Sequence, residues 1–344
     1  MPLDLPAVPS RVVAAPMAGG PSTVELAAAV GDAGGLGSLA AGYRTPAAVA
    51  EEVERLRAVS AAPFGVNVFS PVPPGDPARV AAYAELLAPR AAGLGTALGE
   101  PVHTDDDHDA KVALLAELRP AVVSFAFGVP PARSVEALHA ADVPVWLTVT
   151  SPEEAAEAAA AGADALVVQG WEAGGHRGGS DDEPAQLGTL PLLALVRRVT
   201  DLPLVAAGGI ADGQGVAAVL AAGAALAQLG TAFLRTPEAG TSPAHAAALA
   251  TDRPTTVTRA FTGRSARALV NRATAELSAA APAAYPEVHL LTAPLRAAAR
   301  AAGDAEEMHL WAGEAHVLAE EVPAGELVRR LAAEAREALA AARF

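Results

Sequence analysis

The residues best equipped for chemistry sit in one stretch, Gln169-Gly170-Trp171-Glu172-Ala173-Gly174-Gly175-His176-Arg177-Gly178-Gly179. A short apolar run, Ala165 to Gln169, breaks there into glycines around a single histidine. Such a run has strand length, and the break is turn chemistry. Closely spaced glycines cost chain entropy unless backbone must approach something closely. An imidazole at the tip of such a loop can donate a hydrogen bond or exchange a proton near neutral pH. The plainer reading is a flexible surface loop with a solvated histidine.

Other unusual residues recur at the ends of strand-length apolar runs. Pro16-Met17-Ala18-Gly19-Gly20 follows the first run and Asn67 lies on the third. Ala207-Gly208-Gly209-Ile210 follows the seventh, and Gln228-Leu229-Gly230-Thr231 ends the eighth. A Gly-Gly pair alone is usually a turn. Two glycine turns closing the last two units of a barrel form a phosphate site, because bare N–H groups and a helix N-terminus meet the anion there. Thr231 adds a hydroxyl. The amides of Asn67 and Gln169, with backbone donors and one histidine, can bond the polar edge of a flat heteroaromatic ring without adding charge. FMN fits this set; a structural barrel or a sugar-phosphate enzyme stays open.

The elements that position these residues alternate. Apolar runs at Arg11–Ala15, Leu36–Leu39, Phe64–Phe69, Ala121–Phe125, Pro144–Val149, Ala165–Gln169, Leu204–Ala207 and Leu226–Leu229 are separated by helix-length segments. The first helix begins after Ser22 or Thr23, either of which can cap it. Runs too apolar for one-sided burial indicate a parallel sheet covered by helices. Eight such units close a (β/α)8 TIM barrel, an α/β fold; a doubly wound sheet is the alternative. From Thr236 to about Asp304 the alternation stops and prolines accumulate, which reads as a smaller helical lid subdomain inserted after strand 8. The expected organisation is a barrel of residues 1–235 and 305–344, with closing C-terminal helices, and a lid of 236–304.

Composition excludes several chemistries. The formal charge of -15 argues against nucleic acid or an anionic membrane as partner. With no cysteine there is no disulfide, thiolate metal site or cysteine nucleophile. The sole lysine, Lys111, falls on an expected helix and is poorly placed for Schiff-base chemistry. No apolar run approaches the ~20 residues of a membrane span, and the N-terminal residues lack a signal-peptide pattern. A cytoplasmic protein is expected, with a homodimer left open. His103 and His108 among Asp105, Asp106, Asp107 and Asp109 read as an acidic surface loop, so no metal is assigned. His139, His245, His289, His309 and His316 read as lid or surface residues. Arg264 and Arg267 are either lid residues that reach an anionic substrate or a surface pair.

Taken together, Ala15–Gly20, Phe64–Val68, Gln169–His176, Ala207–Ile210 and Gln228–Phe233 resemble the nitronate monooxygenase family, formerly called 2-nitropropane dioxygenases. Phe261–Arg267, Leu291–Leu295 and Leu310–Gly313 are similar to later motifs of its class I branch. The resemblance implies an FMN-dependent barrel that oxidises alkyl nitronates, propionate 3-nitronate in particular, with O2 to a carbonyl compound and nitrite. By carry-over, Pro16, Met17, Ala18, Asn67, Gln169, Gly174, Gly175, Gly208, Gly209, Gln228, Gly230 and Thr231 would hold FMN, and His176 would be catalytic. A nitronate is anionic, so His176 would offer an N–H or, if protonated, a positive charge. For a neutral nitroalkane it would act as base. Glu314 stands where the class I motif commonly has glutamine, so it either pairs with an arginine or marks a different substrate. Two alternatives share the barrel: an NAD(P)H-using enoyl-thioester or quinone reductase, and an FMN-binding tailoring or non-catalytic protein.

Overall fold

The computed structural model describes residues 8–182 and 186–342. The N-terminal residues from which the lack of a signal peptide was argued lie outside the described residues, as do the last two of the closing segment. Along the chain, β1 (Val12–Ala14) leads to α1 (Val24–Asp32), β2 (Gly37–Ala40) to α2 (Pro46–Val59), and β3 (Phe64–Phe69) to α3 (Pro77–Gly93) and α4 (His108–Leu118). Next come β4 (Val122–Ala126), α5 (Ala132–Ala140), β5 (Val145–Val149), α6 (Pro152–Ala160) and β6 (Ala165–Gln169). A two-residue strand, β7 (Gly175–His176), precedes α7 (Thr189–Val196), β8 (Leu204–Ala207), α8 (Gly213–Ala221) and β9 (Leu226–Leu229). The remainder holds α9 (Pro243–Leu249), β10 (Thr255–Thr258), β11 (Ala266–Leu269), α10 (Arg272–Leu277), α11 (Glu287–Ala302) and α12 (Ala324–Ala341).

Eight parallel strands run in the order β1-β9-β8-β6-β5-β4-β3-β2, and a parallel bridge from Val13 to Leu36 joins the two ends. The chain is therefore a (β/α)8 TIM barrel. Its strands are buried along their length, β3 at all six positions, as strands covered on both faces must be. The helix starts follow capping chemistry. Thr23 accepts from Leu26 N, and Thr45 and Ser151 cap helices that carry proline in the first turn. Ser22, the other candidate cap, instead accepts from Met17 N at 2.8 Å and steadies the first loop.

The eighth barrel helix comes late. α12 packs against α8 and α1, and its Leu327, Val328, Leu331 and Ala335 join the barrel core. Its Glu334 accepts from Gly213 N at 3.1 Å, at the start of α8. The intervening segment is thus inserted between the eighth strand and its helix.

That segment, expected to be helical, requires a correction. Besides α9, α10 and α11 it holds β10 and β11, which pair antiparallel, and β11 also pairs antiparallel with β7 from the glycine loop. Short strands of mixed composition carry no strong period, which is why the sequence hides them. Material from the β3–β4 connection joins the same cap: Val80, Tyr83 and Leu87 of α3 pack with Phe261, Val288 and Leu291, and Tyr83 Oη donates to Ala260 O at 2.8 Å.

The stretch Thr104 to Asp109 is not the solvated loop its charge suggests. Lys111 and His108 are fully buried. Lys111 Nζ lies 2.7 Å from Asp106 Oδ2, and Asp106 also accepts from Tyr43 N at 3.1 Å. His108 Nδ1 donates to Phe69 O and its Nε2 accepts from Ser134 Oγ, both at 2.9 Å. No helix of the described residues is long and apolar enough to cross a membrane.

If α12 belongs to the barrel core, Leu331→Ala, at a site 1% exposed, costs about 2–5 kcal/mol in a denaturant titration that follows barrel unfolding. Arg336→Ala on the exposed side of the same helix changes it by less than about 0.5 kcal/mol.

Candidate active site

Every residue that the sequence reading gave to the cofactor or to catalysis lines one cavity of about 420 Å³ at the C-terminal ends of the barrel strands. Pro16, Met17 and Ala18 come from the loop after β1 and Asn67 from β3. Gln169, Gly174, Gly175 and His176 come from β6 and its loop, Gly208 and Gly209 follow β8, and Gln228, Gly230 and Thr231 end β9. The volume falls within the roughly 300–1,000 Å³ of small-molecule sites.

The glycine loop is fixed from three sides. Gly175 and His176 pair with Arg267 and Ala266 of β11, and Arg177 N donates to Ser265 O at 2.9 Å. Gln169 Nε2 donates to His176 O at 3.0 Å, and Gln169 Oε1 accepts from Gly178 N at 2.8 Å. Both polar atoms of Gln169 are thus engaged by the loop itself. Arg177, buried to 1% exposure, donates to Gly170 O at 2.6 Å and Gln169 O at 3.2 Å. Arg264 donates to Arg177 O at 3.1 Å and to Gly179 O. Phe127, at a left-handed φ of 77°, donates its N–H to Gly178 O at 2.6 Å. A bulky residue held in that region signals a strained and over-determined position.

The lid arginines therefore neither reach the cavity nor form a surface pair. Arg264 is spent on the loop and stacks over Phe127, its guanidinium carbon 4.3 Å from the ring centroid. Arg267 donates to Trp171 O at 2.9 and 3.1 Å and pairs with Glu314 at 3.0 Å. Of the two readings of Glu314, the arginine pair is what the fold builds. Trp171 lies under the guanidiniums of Arg177 and Arg267, each 5.3 Å from its centroid, and packs the loop from below instead of lining the cavity.

Backbone shape completes the floor. Gly208 sits at φ 104°, and a Cβ there would meet Ala173 at 3.0 Å. A Cβ on Gly174 would lie 2.4 Å from Gly313 N. Thr231 Oγ1 accepts from Gly313 N at 3.0 Å, leaving its own hydrogen to donate. Asn67 Nδ2 is held by Ser124 O and Oγ at 3.1 and 3.0 Å, which orients its carbonyl.

Electrostatics divide the protein from its cavity. Against a net charge of -15, the lining among the described residues holds Arg296 and Arg300 and no carboxylate. Burial, and then Arg264 and Arg296, push His176 down to about 3. Its Nε2 lies 2.9 Å from Thr262 Oγ1, and Phe127, Trp311 and Tyr285 ring it at 5.3–6.1 Å. Burial likewise lowers His289 to about 2, helped by Arg296, and His245 to about 4. His245, His289 and His309, expected on the lid or surface, all line the cavity.

Tyr43, Phe127, Thr262, His289, Arg296, Arg300 and Trp311 escaped the sequence reading. For α11 a signal existed: His289, Ala293, Arg296, Ala297 and Arg300 recur at spacings of three and four, one face of a helix. No local pattern marks Tyr43 or Phe127.

Histidines with depressed folded values set the acid limb of stability. Unfolded, each takes a proton below about pH 6.5, while folded His176, His245 and His289 do not, so stability is full above that pH and falls as acid is added. Each contributes a loss approaching ~1.4 kcal/mol per pH unit. His245→Asn should flatten the dependence between pH 6.5 and 5 by about 1 kcal/mol per unit in denaturant titrations; an unchanged slope would show that His245 is protonated in the folded protein.

Comparison with known proteins agrees with this geometry. The family model described as nitronate monooxygenase matches residues 7–334. A nitronate monooxygenase of Pseudomonas aeruginosa is 42% identical, over 94% of this chain and 96% of its own. One of Paraburkholderia phytofirmans is 40% identical, over 98% and 95%. A solved structure of nitroalkane oxidase from Streptomyces ansochromogenes superposes with a TM-score of 0.93 at 52% identity, covering 96% of this chain and 97% of that one. With a match that runs through the barrel, the glycine loop and the cap alike, the chain belongs to the nitronate monooxygenase family of oxidoreductases.

Proposed function

We propose that the protein oxidises alkyl nitronates of the propionate 3-nitronate type with O2, giving a carbonyl compound and nitrite, and that it holds FMN to do so. The observation that carries this reading is His176 in a cavity whose charged lining residues, among the described ones, are Arg296 and Arg300, beside the glycine turns after β8 and β9.

The residues present fit FMN. Gly208, Gly209, Gly230 and Thr231 would take the phosphate through backbone N–H groups and the Thr231 hydroxyl; a Cβ at Gly208 or Gly209 would meet Ala173 at 3.0 Å or Glu172 at 3.2 Å, so glycine is what lets these turns pack closely. The Asn67 carbonyl and the Gln228 amide would bond the polar edge of the ring, and Pro16, Met17, Ala18, Gly174 and Gly175 would frame it. Gln169 would contribute by holding the His176 loop against it. When bound, the flavin supplies the one-electron exchange with substrate and O2.

The chain's own part is positioning. His176 stays neutral through the physiological range because its value is pushed down to about 3, so it offers a hydrogen bond and not a positive charge. As a base toward a neutral nitroalkane it would be weak, which favours a substrate that arrives already ionised. Phe127, Trp311 and Tyr285 exclude water around the ring.

The protein mixed with propionate 3-nitronate under air is expected to release nitrite and consume O2 without NADPH. Rapid anaerobic bleaching of bound flavin by NADPH would instead mark a reductase, and bound flavin with neither activity a non-catalytic protein. His176→Asn should keep FMN and lower kcat/KM by roughly 10²–10⁴; full activity would remove His176 from the mechanism.

A further inference from the structure

α11 carries into the cavity a cation, Arg296, that has no counter-charge among the described residues. Arg296 Nη2 donates to His289 O at 2.7 Å and to His289 Nδ1 at 3.1 Å, and Nε donates to Thr292 Oγ1 at 3.1 Å. These contacts fix the guanidinium plane through Nε and Nη2. Among the described residues, the charged and phenolic groups whose fields reach it are Tyr43, Tyr285 and Arg300, with no Asp or Glu among them. Burial lowers its value only to about 10, so it remains a cation at neutral pH. Its field in turn reaches both His176 and His289, and all three side chains line the same cavity.

His289 is locked by the same contact. A guanidinium can only donate, so Nδ1 of His289 accepts and Nε2 must carry the ring proton. The ring lies flat on Tyr43, with centroids 3.9 Å apart and planes 6° from parallel. Tyr43 is held in turn by the Asp106–Lys111 pair through its backbone N–H, and its hydroxyl accepts from Tyr285 Oη at 3.2 Å. α11 therefore presents a planar cation and a neighbouring N–H donor of fixed tautomer to the chamber. A partly desolvated cation without a counter-charge is stabilised when an anion arrives, and with Nε and Nη2 engaged by His289 and Thr292 the two N–H groups of Nη1 are left to donate to the oxygens of a CNO2 group.

We propose that Arg296, with His289 fixed as its Nε2–H tautomer, is the anion receptor of the substrate chamber and makes the enzyme select an ionised nitronate over the neutral nitroalkane. This rests on the reading of the cavity as a nitronate site. A neutral nitroalkane would leave the guanidinium desolvated and uncompensated, so the ionic form, and not only the carbon skeleton, decides binding.

The test compares wild type, Arg296→Met and Arg296→Lys, all loaded with FMN. Kinetics are run with preformed ethyl nitronate and with neutral nitroethane, and nitrate binding is followed by calorimetry as a non-reacting planar anion. Arg296→Met is expected to raise KM for ethyl nitronate about a hundredfold with kcat little changed. It should weaken nitrate at least about thirtyfold, lower kcat/KM for nitroethane at least about tenfold less than for ethyl nitronate, and leave the affinity for FMN within about threefold. Arg296→Lys should restore most of the anion binding. Unchanged KM and nitrate affinity would overturn the proposal. So would loss of FMN affinity in Arg296→Met, because the guanidinium would then serve the cofactor phosphate. If Arg296→Met does not fold, His289→Phe, which keeps the stack on Tyr43 and removes the N–H, must weaken nitrate severalfold or the proposal fails. If wild type turns over no nitronate yet nitrate binding still depends on Arg296, the nitronate reading falls and the anion receptor stands.

Discussion

A loop made mostly of glycine has almost no side chains with which to hold itself, and its backbone entropy opposes any single shape. Here three buried arginines supply what the loop lacks. Arg177, Arg264 and Arg267 between them bond the carbonyls of Gln169, Gly170, Trp171, Arg177 and Gly179, and β11 ties down the strand that carries His176. The rigid fork of arginine suits this task, because one side chain can satisfy several acceptors at once. The position of His176, and so the shape of the cavity, depends on these bonds.

The same cations shape the electrostatics. Two of the groups that hold His176 and His289 neutral, Arg264 and Arg296, are close enough for their fields to matter, although burial is the larger cause for both histidines. Carboxylates are abundant over the chain as a whole but absent from the cavity lining. Glu314 pairs with Arg267 and is nearly half exposed, so its charge is spent at the rim. An acidic protein thus encloses an anion-friendly chamber, and only the local arrangement of charge makes it so.

Division of labour follows from where the cap is inserted. The barrel provides strand ends at fixed spacing and the glycine turns after β8 and β9, features that any chain closing this fold can carry. The cap provides α11, Thr262 and Trp311, which wall the cavity. Its placement between β9 and α12 anchors it at both ends to the barrel, and α3 braces it from a third point. A cap held this way can vary its lining residues without disturbing the strands beneath.

Strand runs, glycine breaks and caps such as Thr23 and Thr45 are local, since a run of six apolar residues or a hydroxyl before a helix has the same physical meaning in any context. For that reason the eight-strand barrel, the residues at its strand ends and the glycine loop were legible in the chain as written. Long-range pairing was not. Whether Arg267 meets a substrate or the Trp171 carbonyl, whether Lys111 is solvated or buried against Asp106, and that a two-residue strand at His176 joins a sheet with β11 are all settled by segments far apart in sequence. The linear chain determined which residues stand at the top of the barrel. Only the tertiary structure decided which charges face it, because a buried charge takes its partner from whatever the fold brings within a few ångströms.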